Sequence, residues 1–190
     1  MSKTCIGYAM CGSFCTFSKA LREMKNLVEI GYDVLPIMSV NASTTDTRFG
    51  KAKDFISEIE EITKKKIVDR ITSAEPIGPK KMCDLLLISP CTGNTLGKIC
   101  NGITDTPVTM AAKSHLRVLR PLLLCVATND GLGASAQNIG RLLNTKNVYF
   151  VPLSQDDPIN KPNSLVSHFE LISQCVELGL KGEQLQPVFR

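Results

Sequence analysis

Short apolar runs alternate along this chain with segments whose apolar residues recur at helical spacing. Five runs predict strands: Thr4 to Met10, Asp33 to Ser39, Asp84 to Ser89, Leu122 to Ala127 and Asn147 to Val151. Between the first two, Phe17, Leu21, Met24 and Val28 step by four, three and four residues, which predicts a helix with one buried stripe ending before Gly31. Phe55, Ile59 and Ile62 predict another. A last helix is expected after Pro162, capped by Asn163 or Ser164, with Leu165, Phe169, Ile172 and Val176 on its buried face. Residues after Lys181 read as a short tail. Apolar strands separated by amphipathic helices define an α/β class with a doubly wound, mainly parallel sheet. No repeat or linker divides the pattern, so residues 1–190 are read as one domain with 181–190 as its tail.

Two stretches interrupt the alternation. Lys66 to Lys81 contains Pro76, Gly78 and Pro79, consistent with a short strand followed by a loop. Val40 to Gly50 is polar, rich in Ser and Thr, and follows the second strand. Ligands in such sheets bind at the carboxyl ends of the strands, so this segment is placed where a lid or specificity loop would be.

Composition narrows the class. With 43% hydrophobic and 21% charged residues the chain can bury a core, which excludes a disordered tail and a disulfide-stapled miniprotein. The longest apolar runs, Leu85 to Ile88 and Pro121 to Ala127, fall well short of the roughly 18 residues of a membrane span, and no basic-then-apolar leader opens the chain. A cytoplasmic protein without a membrane partner is expected. The net charge is +4, from 22 basic and 18 acidic residues, and the longest basic run is Lys64-Lys65-Lys66 at a predicted helix end. There cations offset the partial charge of the last carbonyls, so no nucleic-acid partner is expected, whereas a small anionic ligand suits the excess. Eight cysteines form no C-x-x-C pair and have no His at ligand spacing, which points to reduced thiols and no metal. Cys5 and Cys125 fall in strands, Cys11 and Cys91 in loops; Cys11 with Cys15 as a redox or metal pair is the less favoured reading.

Candidate chemistry clusters where strands end. After the first strand, Cys11-Gly12-Ser13-Phe14-Cys15-Thr16 leads into a helix, and Gly12 with the Ser13 and Thr16 hydroxyls would make a phosphate cradle; a plain capped turn is the alternative. Gly7 and Gly12 have Walker spacing, but Ser13 stands where the lysine is required. Gly131 to Ala136 matches a degenerate G-x-G-x-x-A, yet three polar residues separate it from its strand, so a polar loop at the ligand edge is the better reading. Ser89-Pro90-Cys91-Thr92-Gly93-Asn94-Thr95 follows the most apolar strand; Pro90 should stop that strand and Asn94 should open a helix carrying Leu96, Ile99 and Ile103. His115 is expected on a helix surface in a solvent-facing or packing role, and His168 on the last helix.

The segment SPCTGNTLGKICNGITDTP resembles the Pro-Ala-Ser-Ala-Asn-Thr motif and its sequel in the homo-oligomeric flavin-containing cysteine decarboxylases, a flavoprotein family that also includes flavin prenyltransferases. The resemblance runs through CGSFCT, STTDTRFG, EPIGPKKMCD, TPVTMAAKSHLR, TNDGLG, QDDPINKPNS and LKGEQLQPV. It implies a flavodoxin-like, Rossmann-like three-layer sandwich, FMN at the interface between copies of the chain, and a homo-oligomer built from trimers. Gly12 and Ser13, with Thr16 beside them, match the first FMN loop; Ser39 matches a hydroxyl at the end of the second strand. Thr92, Gly93, Asn94 and Thr95 match the motif that touches flavin and substrate. The family's decarboxylases carry a His after the second strand and a Met-containing clamp after the strand ending near Ala127; this chain has only His115 and His168, and reads Thr128-Asn129-Asp130-Gly131. The later strings belong to one branch of the family. They imply one component of a two-component oxidoreductase. Its dinucleotide-binding partner and NAD(P) would join it in oxidising a dihydropyridine dicarboxylate during sporulation, in the mother-cell cytoplasm. A flavin-free partner that only stabilises the other component, and an FMN-dependent decarboxylase or prenyltransferase, are the alternatives. For a dicarboxylate the candidates are Asn94, by resemblance, and Arg48, whose guanidinium fits a carboxylate bidentately, with Lys113 and Arg117 in reserve.

Overall fold

The computed structural model describes residues 3–190. Its elements run β1 (Cys5–Met10), α1 (Phe17–Ile30), β2 (Asp33–Met38), α2 (Val40–Thr44), α3 (Ala52–Thr63), α4 (Ile71–Ala74), β3 (Leu85–Cys91), α5 (Gly93–Cys100), α6 (Pro107–Arg117), β4 (Leu122–Thr128), α7 (Ala136–Leu143), β5 (Val148–Phe150), β6 (Leu153–Asp157), β7 (Lys161–Ser167) and α8 (Ile172–Leu180). The five predicted strands are all present. They pair in parallel in the order β2-β1-β3-β4-β5, the flavodoxin-like order, whose switch point lies between β1 and β3.

Side-chain alternation divides two apolar layers. Ile6, Tyr8, Leu85, Leu87, Leu123 and Cys125 face α1, α3 and α8 through Phe17, Met24, Ile59, Ile172 and Val176. Ala9, Leu86, Ile88, Leu122, Leu124 and Val126 face the other side, against Leu96, Val108, Ala111, Ile139 and Leu142. The predicted α1 stripe is the buried one, and the helix ends where Gly31 takes a left-handed φ of 113° and donates back to the last turn.

Several expectations change. The segment after Pro162 is strand, not helix: Leu165 lies in β7, which pairs antiparallel with β6 and with the end of β4. Its turn is closed by Asp157, whose carboxylate accepts from the Ile159 and Asn160 amides. The helix begins only at Ile172, after a single 3-10 turn at Phe169–Leu171. The proposed strand in 66–81 reduces to one bridge, Ile37 with Val68, followed by α4 and a 3-10 turn. Pro90 does not stop its strand, and Cys91 is the last strand residue rather than a loop residue, because a register irregularity between Ile88 and Cys91 accommodates the missing donor. The stripe assigned to α5 loses Ile103, which lies beyond the helix and is half exposed. The tail is not loose: the Gln184 side chain accepts from the Phe150 amide and donates to its carbonyl, and Leu153 exchanges backbone hydrogen bonds with Val188 and Arg190. Lys65 and Lys66 of the basic run form ion pairs with Asp33 and Glu60.

Candidate functional site

Three adjoining clefts open along the carboxyl ends of β2, β1, β3 and β4. The first, about 530 Å³, brings Gly12, Ser13, Arg48, Thr92, Gly93 and Asn94 together with Phe49 and Asp130. The second, about 270 Å³, shares Gly12, Thr92 and Asn94 with it and adds Ser39, Thr95 and Lys98. The third, about 390 Å³, lies on the far side of Ser13 and Cys15 and contains Thr16, Lys19 and Lys161. Of the sequence candidates, Thr16 alone sits only in this third cleft. Lys113 and Arg117 line a separate small cleft against Glu75 and Pro79, away from the others.

The polar groups are placed by caps. Thr92 is the N-cap of α5, its hydroxyl accepting from the Thr95 amide, so the motif residues Gly93 and Asn94 form the first turn and carry amides with no intrahelical acceptor. The Thr95 hydroxyl donates to Cys11 Sγ at 3.2 Å and lies 3.1 Å from the Thr92 hydroxyl, tying β1 to α5 beneath the cleft. Asn94 is exposed. Ser39 caps α2, accepting from the Ala42 amide at 3.2 Å, which leaves its hydroxyl hydrogen for another acceptor. The stretch expected to be a loop at Val40 to Gly50 is therefore part helix and part tight turn, closed by paired Thr47 and Gly50. That turn presents Arg48, whose guanidinium lies 4.9 Å from the centre of the Phe49 ring. The Thr16 hydroxyl donates to the Ser13 carbonyl at 2.8 Å, so it serves the turn rather than donating into the cleft.

The G-x-G-x-x-A stretch opens with a turn, and the carboxylate just before it, Asp130, was not singled out in the sequence. Asp130 Oδ1 accepts from the Thr128 hydroxyl at 2.5 Å and the Ser135 hydroxyl at 2.8 Å. These donors hold its carboxyl below the ordinary range. Gly93 packs directly on this cluster: a Cβ there would come within 2.6 Å of both hydroxyl oxygens and 2.7 Å of the carboxylate. The signal was available in Thr128-x-Asp130 immediately after a strand.

The two histidines lie outside the clefts. His115 is buried, not on a surface. Its Nε2 donates to the Pro121 carbonyl, so Nδ1 is left to accept from the Cys83 thiol at 3.6 Å. Burial and the nearby Arg120 push its pKa down to about 4. His168 precedes the last 3-10 turn and lies 3.0 Å from Glu170. The eight cysteines form no disulfide, and burial raises Cys11, Cys91 and Cys125, with Cys11 pushed up to about 11 and Cys125 to about 12. Among the described residues no group of three potential metal ligands gathers, and no helix is long and apolar enough to cross a membrane.

The donor set of the second cleft fits the phosphate of a flavin nucleotide: a hydroxyl hydrogen on Ser39 and the first amides of α5, with the Lys98 ammonium beside them held 2.9 Å from both carboxylate oxygens of Asp105. Comparison with known proteins agrees with this class. The model of the Flavoprotein family matches residues 1–176, and the chain belongs to that family. Within it, the chain is 43% identical over 183 residues to the B subunit of dipicolinate synthase from Bacillus subtilis, covering 96% of this chain and 92% of the relative. The crystal structure of the corresponding B subunit from Bacillus halodurans superposes with a TM-score of 0.90 at 44% identity, covering 98% of this chain and 96% of that one. The FMN-dependent cysteine decarboxylase SpaF shares the fold alone, at 20% identity and a TM-score of 0.65 over 93% of this chain and 97% of that one.

Proposed function

We propose that the chain works as the B subunit of a dipicolinate synthase. With the A subunit as its partner, it oxidises dihydrodipicolinate to dipicolinate using NAD(P), during sporulation in the mother-cell cytoplasm. The observation that carries this reading is the cleft that sets Arg48 and Asn94 together at the strand ends, in a chain 96% of which aligns with the B subunit of Bacillus subtilis. A guanidinium and a side-chain amide are the groups that recognise a carboxylate by direct hydrogen bonds. Orienting a rigid diacid against the hydride acceptor held by the partner is the main catalytic contribution expected of such a pocket. We assign FMN to the adjoining cleft, with Gly12, Ser39, Thr92, Asn94 and Thr95 in its wall, Ser13 and Gly93 contributing from the first cleft beside it, and Thr16 bracing the loop. Half-exposed Val40 and Phe49 in the walls of these clefts suit burial against further copies of the chain, in keeping with a trimer-based homo-oligomer.

Steady-state kinetics of the complex reconstituted from both components test the substrate assignment. Arg48→Ala should raise the KM for dihydrodipicolinate at least about tenfold, the loss expected of a charged hydrogen bond. An unchanged KM refutes the role of Arg48. The visible spectrum of the purified chain tests the flavin: flavin bands that disappear on denaturation with release of FMN support it, while a colourless chain still required for activity favours a flavin-free partner role.

A further inference from the structure

Among the described residues, Asp130 is the single carboxylate in the wall of the first cleft, where Arg48 is the single cation. Both of its hydrogen bonds are made through Oδ1, to Thr128 and Ser135, and Oδ2 has no partner among the described residues. The absence of a side chain at Gly93 lets this carboxylate sit against the first turn of α5, beside Asn94. The hydroxyl donors hold the carboxyl below its ordinary range, so the charge is permanent at neutral pH. A fixed negative charge repels a dianion unless the ligand turns positive charge towards it. In a six-membered ring that carries its carboxylates on the two carbons flanking nitrogen, the ring nitrogen is the one position able to do so.

We propose that Asp130 pairs with the N–H of the substrate ring and stabilises the positive charge that grows on that nitrogen during oxidation, an inference that rests on the reading of this cleft as a dicarboxylate site. The step balances with the substrate taken as its N–H enamine tautomer. A ring C–H bond breaks and its electron pair leaves as hydride to an oxidised nicotinamide dinucleotide, which is reduced. The ring becomes an N-protonated pyridinium, and the N–H proton then passes to water. The carboxylate is suited to this task because it stays ionised while the ring is cationic. Once the proton has left, the nitrogen lone pair faces the same charge, which favours release of product.

Calorimetry on the reconstituted complex with two six-membered-ring probes that carry their carboxylates in the same 1,3 relation tests the pairing. cis-Piperidine-2,6-dicarboxylate carries a protonated ring nitrogen at neutral pH; isophthalate carries carbon and hydrogen in its place. The native complex should prefer the first by at least about tenfold, the margin expected of a charged hydrogen bond. Asp130→Asn should abolish the preference while isophthalate binds as well as before or better. Thr128→Val, which keeps the charge and removes one hydrogen bond, should retain it. Equal weakening of both probes in Asp130→Asn, or a preference that survives it, overturns the proposal while leaving the dicarboxylate site standing. Failure of both probes to bind the native complex overturns the dicarboxylate reading and the proposal together.

Discussion

Gly93→Ala tests the geometry of the cleft wall. The added methyl would lie 2.6 Å from Thr128 Oγ1, 2.6 Å from Ser135 Oγ and 2.7 Å from Asp130 Oδ1, each inside the distance that carbon and oxygen tolerate. At least two of these atoms must move, which breaks one or both of the 2.5 Å and 2.8 Å hydrogen bonds to the carboxylate. Overpacking costs about 1–3 kcal/mol and a hydrogen bond to a charged group about 1.5–3 kcal/mol, partly offset by up to about 1 kcal/mol from replacing a helical glycine. The net loss is about 2–4 kcal/mol, a melting temperature lower by roughly 5–15 °C for a chain of this size. Circular dichroism melts of the purified chain read the stability, and dipicolinate titration reads the site. A melting temperature within roughly 2 °C of the native value, with dipicolinate binding retained, refutes the close packing of α5 on the Asp130 cluster.

Other perturbations follow from single contacts. Gly140→Ala is the converse case: nothing lies within 4 Å of its added methyl in α7, so it should stabilise by about 0.5–1 kcal/mol in the same melts. Gln184→Ala strips the buried Phe150 amide and carbonyl of their partner and should cost about 2–4 kcal/mol by urea unfolding; no change would mean the tail does not seal the sheet edge. His115 is held neutral in the fold at a pKa of about 4, below its unfolded value of 6.5, so the unfolded chain gains a proton first. Stability from this residue is complete above pH 6.5 and falls by about 3 kcal/mol as pH drops towards 4. Urea midpoints of the native chain should fall more steeply over this window than those of His115→Gln, and parallel pH profiles would contradict the assignment.

The parallel strands and α1 were legible because both faces of the sheet are covered, leaving near-continuous apolar runs, and because Gly31 marks a helix end. The helix start at Asn94 was legible within one residue, but its cap, Thr92, was not read as one. The β6–β7 hairpin was not. Lys161 to Ser167 opens with four polar or imino residues, and Leu165, Phe169, Ile172 and Val176 happen to fall at helical spacing although the first belongs to a strand and the last two to α8. Turn chemistry at Asp157 to Asn160 was the better guide. Burial of His115 was hidden because its neighbours Lys113 and Arg117 are charged, while its partners Cys83 and Pro121 lie outside its helix. The segment was read as a polar loop at the ligand edge, but Asp130 was not singled out, because its second hydroxyl donor, Ser135, lies five residues further on.

The central claim is that this chain completes a dicarboxylate oxidation site with a second protein. It is tested most directly by following dipicolinate formation from dihydrodipicolinate and NADP. The purified dinucleotide-binding partner and this chain are assayed separately and together, with Asn94→Ala in parallel. The account predicts rapid turnover only with both proteins present, and a large fall in turnover when Asn94 is replaced in a chain that still assembles. Full activity of the partner without this chain, or of the complex carrying Asn94→Ala, would contradict it.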